Sequence, residues 1–176
     1  MAEIIIAGFG GQGVLVLGQV ITYAGMLEDK SVSWLPSYGP EQRGGTCNCS
    51  VVITEGEVGS PLVTRPSVAI VMNAPSFDRF EPTVKPGGLL LYNSSLVPKT
   101  SSRTDIRTIA VPANEIADEL GNTRVANMVM LGAFIEATGL VQEENIEKAL
   151  RAVISERHHG LIPLNMQALE RGRAYQ

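Results

Sequence analysis

Near its start the chain runs Ile4-Ile5-Ile6-Ala7 into Gly8-Phe9-Gly10-Gly11-Gln12-Gly13, and no other stretch narrows the fold as much. A short β-branched run with no polar interruption is a strand buried on both faces. Beyond the glycines, Val14, Leu15, Leu17, Gly18, Ile21 and Met26 recur at helical spacing up to about Glu28. Strand, glycine turn and helix open a βαβ unit, the building block of layered α/β folds.

The rest of the chain continues that alternation. Extended segments are expected at Ser31 to Leu35, Thr46 to Thr54, Val68 to Met72, Gly88 to Tyr92 and Arg107 to Val111. A helical turn or two fits Pro75 to Pro82, and Pro112-Ala113-Asn114-Glu115 makes a good helix start. From about Arg124 to Thr138 the helical stretch has almost no polar face, so it must be buried on more than one side. Helices over Gln142 to Ser155 and Pro163 to Arg173 complete the chain. With no linker and no internal repeat, residues 1–176 read as a single domain. The expected fold is α/β, a Rossmann-like three-layer arrangement around a mostly parallel sheet.

Composition removes several classes of function. At 176 residues and 44% hydrophobic content the chain can bury its own core without disulfides or metal, and disorder is excluded. The net charge of −4 carries no basic stripe, so neither nucleic acid nor an anionic membrane is expected as a partner. No stretch reaches the ~18 apolar residues of a membrane span, and no secretory signal is visible. Cys47 and Cys49 are poorly placed to bridge each other and lack the further ligands of a zinc or iron–sulfur site. They read as strand packing in a reduced, cytoplasmic protein.

Gly8-x-Gly10-x-x-Gly13 fits the dinucleotide fingerprint, in the right place after a strand and before a helix. Gly8, Gly10, Gly11, Gln12 and Gly13 are therefore the candidate cofactor-binding residues. That mode also requires a carboxylate at the end of the second strand to hold a ribose hydroxyl. Glu28 and Asp29 fall before that strand, and its end reads Trp34-Leu35-Pro36-Ser37. A bound dinucleotide, a purely structural turn and a turn facing a partner all stay open on these residues. Elsewhere, His158-His159 reads as a solvated pair, Met128 and Met130 as core filler, and no metal site or catalytic set can be assembled.

A second cluster, Pro36-Ser37-Tyr38-Gly39-Pro40-Glu41-Gln42-Arg43-Gly44-Gly45-Thr46, puts two prolines, three glycines, a carboxylate and a guanidinium into one loop. Prolines restrict such a loop and glycines permit left-handed φ, so it can hold one specific shape. Together with the glycine turn, and with Asn127 and Leu131-Gly132 in the apolar helix, it resembles the gamma subunit of 2-oxoacid:ferredoxin oxidoreductases. The Gly44-Gly45-Thr46 continuation is closer to the 2-oxoglutarate and branched-chain members than to the pyruvate type, with 2-oxoglutarate favoured.

The resemblance implies one part of a larger enzyme that oxidatively decarboxylates a 2-oxoacid, forms an acyl-CoA and reduces ferredoxin. Thiamine diphosphate, Mg²⁺, the iron–sulfur cluster and the coenzyme A site would belong to the complex, with none bound by this chain alone. The implied partners are alpha and beta subunits, with a ferredoxin-like delta subunit as a third candidate and ferredoxin as the electron acceptor. Ser37, Tyr38, Gly39, Glu41, Arg43, Gly44, Gly45 and Asn127 are the candidate partner-facing residues, and no catalytic residue is expected. The apolar helix also suggests self-association of the isolated chain. The competing reading is a self-contained NAD- or flavin-binding oxidoreductase built on the glycine turn.

Overall fold

The computed structural model describes residues 1–38 and 46–176. Six strands form one sheet: β1 (Ala2–Phe9), β2 (Ser31–Tyr38), β3 (Thr46–Thr54), β4 (Val68–Val71), β5 (Leu89–Asn93) and β6 (Arg107–Val111). Their order across the sheet is β2-β3-β1-β4-β5-β6. β1, β4, β5 and β6 pair in parallel, while β3 runs against both of its neighbours. Among the described residues six α-helices are formed, α1 (Val14–Leu27), α2 (Ala74–Phe80), α3 (Ala113–Glu119), α4 (Ala126–Thr138), α5 (Ile146–Val153) and α6 (Ile162–Gly172). The expected α/β fold around a mostly parallel sheet is the one observed.

Side chains alternate between the two faces of a strand. Ile4, Ile6, Ile70 and Leu91 face α1 and α4. Ile5, Ala7, Ala69, Leu90 and Tyr92 face the other way, where α2 and residues such as Val63 and Val84 cover them. Burial on both faces explains why these strands read as unbroken apolar runs rather than alternating ones.

One expectation needs correcting. The strand that follows α1 does not return to the side of β1, because β3 lies between them. The parallel neighbour of β1 is β4 instead, with Ile4 opposite Val68. The sequence gives the physical reason. β2 contains Pro36, which cannot donate to a ladder and is therefore confined to an edge strand. β3 carries Cys49, Ser50, Val51, Val52 and Ile53, all buried, and suits an interior position.

The apolar helix is buried on more than one side, as expected, and its cover comes from the chain itself. All ten residues from Ala126 to Ile135 are buried within the chain itself. Strands β5 and β6 cover one side of α4, and α3 and α6 cover the others. Its lack of a polar face thus reflects a position between the sheet and an outer helix tier. This cover removes the ground for expecting self-association through α4.

Candidate functional site at the carboxyl end of the sheet

In open α/β sheets the crevice for ligands lies beyond the carboxyl ends of the strands, where the strand order reverses. Here the reversal falls at β1, since α1 and β2 lead to one side and β4 continues on the other. The glycine turn stands at that point. Gly8 is buried so tightly that a Cβ would meet Gln12 Oε1 at 2.6 Å and Met72 Cβ at 2.9 Å. The half-buried Gly10 and the exposed Gly11 form the bend, with Gly11 at φ 94°. Gly13 then caps α1 in the left-handed region at φ 73°, without a side-chain cap.

Gln12 holds the turn closed. Its Oε1 accepts from the backbone N–H of Phe9 at 2.7 Å and from Asn73 Nδ2 at 3.2 Å. Asn73 Oδ1 in turn accepts from Ser76 N and caps α2. One strand further on, Asn93 is fully buried and satisfied at both ends of its amide. Its Nδ2 donates to Asn114 Oδ1 at 2.8 Å and to Met72 O at 3.3 Å, and its Oδ1 accepts from Ala113 N at 3.2 Å. The ends of β1, β4, β5 and β6 are thus tied together by a row of carboxamides. Asn73 and Asn93 were not legible as site residues from spacing. The available signal was a carboxamide directly after each of two buried apolar runs.

Beyond this row lies a cleft of about 180 Å³. Gly11, Gln12, Asn114, Thr123 and the exposed Arg124 supply its polar lining, with Met72 at its base. Among the described residues the lining contains no carboxylate, histidine or cysteine, and it offers hydrogen-bond donors and acceptors.

Asn127, expected to face a partner, is buried to 6% exposure beneath the turn. Its Nδ2 donates to Gly13 O at 3.2 Å, while its Oδ1 has no partner within the described residues. The amide nitrogen supports the turn, because α4 passes close to α1 at Gly13. Ser37 is exposed at the end of β2. Tyr38 pairs with Cys47, and Thr46 pairs with Phe9. Both flanks of the second motif therefore reach the end of the sheet that carries the glycine turn. Gly39, Glu41, Arg43, Gly44 and Gly45 lie outside the described residues.

The geometry counts against a dinucleotide. The strand end that would hold the ribose belongs to β2, at the far edge of the sheet, and Ser31–Tyr38 contains no carboxylate. The cysteines do not fit a cluster either. Cys47 and Cys49 share the face of β3 turned toward α1, and burial raises both thiol pKa values. For Cys49 burial dominates and the pKa is pushed up to about 12, against a weaker opposing effect of the Trp34 indole. Such a thiol is a poor metal ligand, since ligation requires the thiolate. His158 and His159 sit in a short 3₁₀ segment, where His158 Nδ1 meets Ser155 Oγ and His159 Nε2 meets Ile154 O, both at 3.1 Å.

Comparison with known proteins supplies the family. The model of the pyruvate ferredoxin/flavodoxin oxidoreductase family matches residues 3–175. The ketoisovalerate oxidoreductase subunit VorA of Methanothermobacter marburgensis is 45% identical over 169 residues, covering 95% of this chain but 35% of its own length. The chain thus spans about a third of the length of the ketoisovalerate oxidoreductase relatives it matches. The 2-oxoglutarate synthase subunit KorC of Methanothermobacter thermautotrophicus is 37% identical over 178 residues, covering 97% of this chain and 93% of that one. Among solved structures, the gamma subunit of a keto/oxoacid ferredoxin oxidoreductase from Geobacter sulfurreducens superposes with a TM-score of 0.82. It is 31% identical and covers 98% of this chain and 96% of that one. The chain belongs to the pyruvate ferredoxin/flavodoxin oxidoreductase family, as a member of its gamma-subunit type.

Proposed function

We propose that this chain, as one domain over residues 1–176, is the gamma part of a multisubunit cytoplasmic 2-oxoacid:ferredoxin oxidoreductase. The complex oxidatively decarboxylates a 2-oxoacid to an acyl-CoA and passes the electrons to ferredoxin. Alpha and beta subunits, with a ferredoxin-like delta subunit, carry the thiamine diphosphate, Mg²⁺ and iron–sulfur cluster. The gamma part stands near the coenzyme A approach and presents the carboxyl end of its sheet, with the segment from Ser37 to Gly45, to those partners.

The observation that carries this reading is the pairing of a family match over residues 3–175 with a cleft whose described lining offers hydrogen-bonding groups. A glycine turn and a polar cleft offer hydrogen bonds, and among the described residues the lining holds no carboxylate, histidine or cysteine. The position of β2 at the sheet edge weighs against a self-contained dinucleotide enzyme. The substrate belongs to the 2-oxoglutarate or branched-chain group. The 2-oxoglutarate relative matches nearly end to end, while the ketoisovalerate relative shares more identity within a longer chain.

Recovering the native complex through a tag on this chain tests the proposal. Thiamine-bearing companions should co-elute, and the complex should reduce ferredoxin when given coenzyme A and either 2-oxoglutarate or 2-oxoisovalerate. The pure chain should show no turnover. Turnover by the chain alone, or saturable tight binding of NADH or flavin to it, would overturn the reading.

A further inference from the structure

We draw no further inference here: the strongest candidate, the largely apolar groove of about 280 Å³ between α1, Trp34 of β2 and Val153 of α5, is an unpartnered surface with nothing in the structure to show what covers it.

Discussion

The carboxamide of Asn127 stands where a side chain on Gly13 would have to go. A Cβ on Gly13 would lie 2.8 Å from Asn127 Cγ, and Asn127 Nδ2 donates to Gly13 O at 3.2 Å. Two costs therefore meet in Gly13→Ala: left-handed backbone, about 1–2 kcal/mol for a residue with a Cβ, and displacement of the amide. We expect Gly13→Ala to lower stability by more than the backbone cost alone. In the Gly13→Ala/Asn127→Ala double variant the second substitution should relieve part of that loss. Urea denaturation of the four proteins in the cycle checks this, since residues in contact couple while distant ones add. Strict additivity would mean that the two residues do not compete for the same space.

Helices α4 and α6 cross with their backbones in contact at Gly132 and Gly172. A Cβ on Gly132 would meet the carbonyl carbon of Leu169 at 2.8 Å, and one on Gly172 would meet that of Val129 at 2.7 Å. Backbone cannot step aside as a flexible side chain can. Gly132→Ala should therefore destabilise by about 1–3 kcal/mol through overpacking, beyond the roughly 1 kcal/mol it gains in helix propensity. At roughly 2–4 °C per kcal/mol for a domain of this size, thermal denaturation resolves the change. Gly160, with open space around it, is the control, and Gly160→Ala should leave the melting temperature nearly unchanged. Equal effects of the two substitutions would contradict a packing origin.

These glycines mark what the sequence could and could not disclose. The strands were legible because burial on both faces leaves apolar runs, and α4 because it lacks a polar face. What covers α4 was not legible. The segment Pro163 to Arg173 reads only as a final helix, and the three-dimensional crossing shows that Gly132 and Gly172 let it come close to α4. The glycine turn was placed correctly from the strand before it and the helix after it. Asn127 is singled out by resemblance as partner-facing, and its bond to Gly13 is not legible, because helical spacing does not say which neighbour an amide will meet across 114 residues. The insertion of β3 beside β1 is a matter of long-range pairing, and β2 runs on through Pro36 to Tyr38, past the expected end at Leu35.

The Glu28 carboxylate ties the end of α1 to the segment between α4 and α5. It accepts from Gln142 N at 2.6 Å, from Asn145 Nδ2 at 3.1 Å and from Lys30 Nζ at 2.8 Å, and Lys30 also donates to Leu140 O. Burial alone would raise its pKa, but the hydrogen bonds and the lysine charge together outweigh burial and hold it below the ordinary value. A depressed folded-state pKa contributes stability above the unfolded value, about 4.3, and that contribution is lost as pH falls through the folded pKa. We expect Glu28→Gln to cost about 1–2 kcal/mol at pH 7, where charge-assisted bonds are lost. The deficit should shrink at pH 3, below the unfolded value, because the unfolded carboxyl is then protonated and the folded chain no longer gains from keeping its own ionised. Chemical denaturation at both pH values measures it, and a deficit independent of pH would show that the charge is irrelevant.

Burial of the two thiols makes an opposite pH prediction. The Cys49 pKa stands at about 12 in the folded chain, against about 8.5 for an exposed thiol. Stability from this group is fully present below pH ~8.5 and declines as the pH climbs toward 12, because only the unfolded chain gains the thiolate. At pH 8 a thiol-reactive chromophore should label the half-buried Cys47 slowly and leave Cys49 untouched until denaturant is added. Rapid labelling of both thiols in the folded chain would show that β3 opens locally.

The last prediction concerns Arg43, on which the functional reading of the Ser37 to Gly45 segment turns. A guanidinium that only decorates a solvated connection can be removed with a stability change within about 0.5 kcal/mol and no other effect. If the segment docks against a partner subunit, as proposed, Arg43 makes planar, bidentate contacts there. Truncating one member of a buried charged pair at an interface typically costs about 2–5 kcal/mol of association free energy. At about 1.4 kcal/mol per decade, that is roughly a 30- to 4,000-fold loss of affinity. Arg43→Ala should therefore leave the melting temperature of the lone chain nearly unchanged while weakening assembly and holoenzyme turnover. The melting temperature must be measured alongside co-elution, because a misfolded variant would also fail to assemble. Arg43→Lys separates charge from geometry: it keeps the positive charge but loses the fork, so it should recover only part of the affinity. An Arg43→Ala chain that assembles and turns over as the wild type does would reduce the segment to an ordinary connection between β2 and β3.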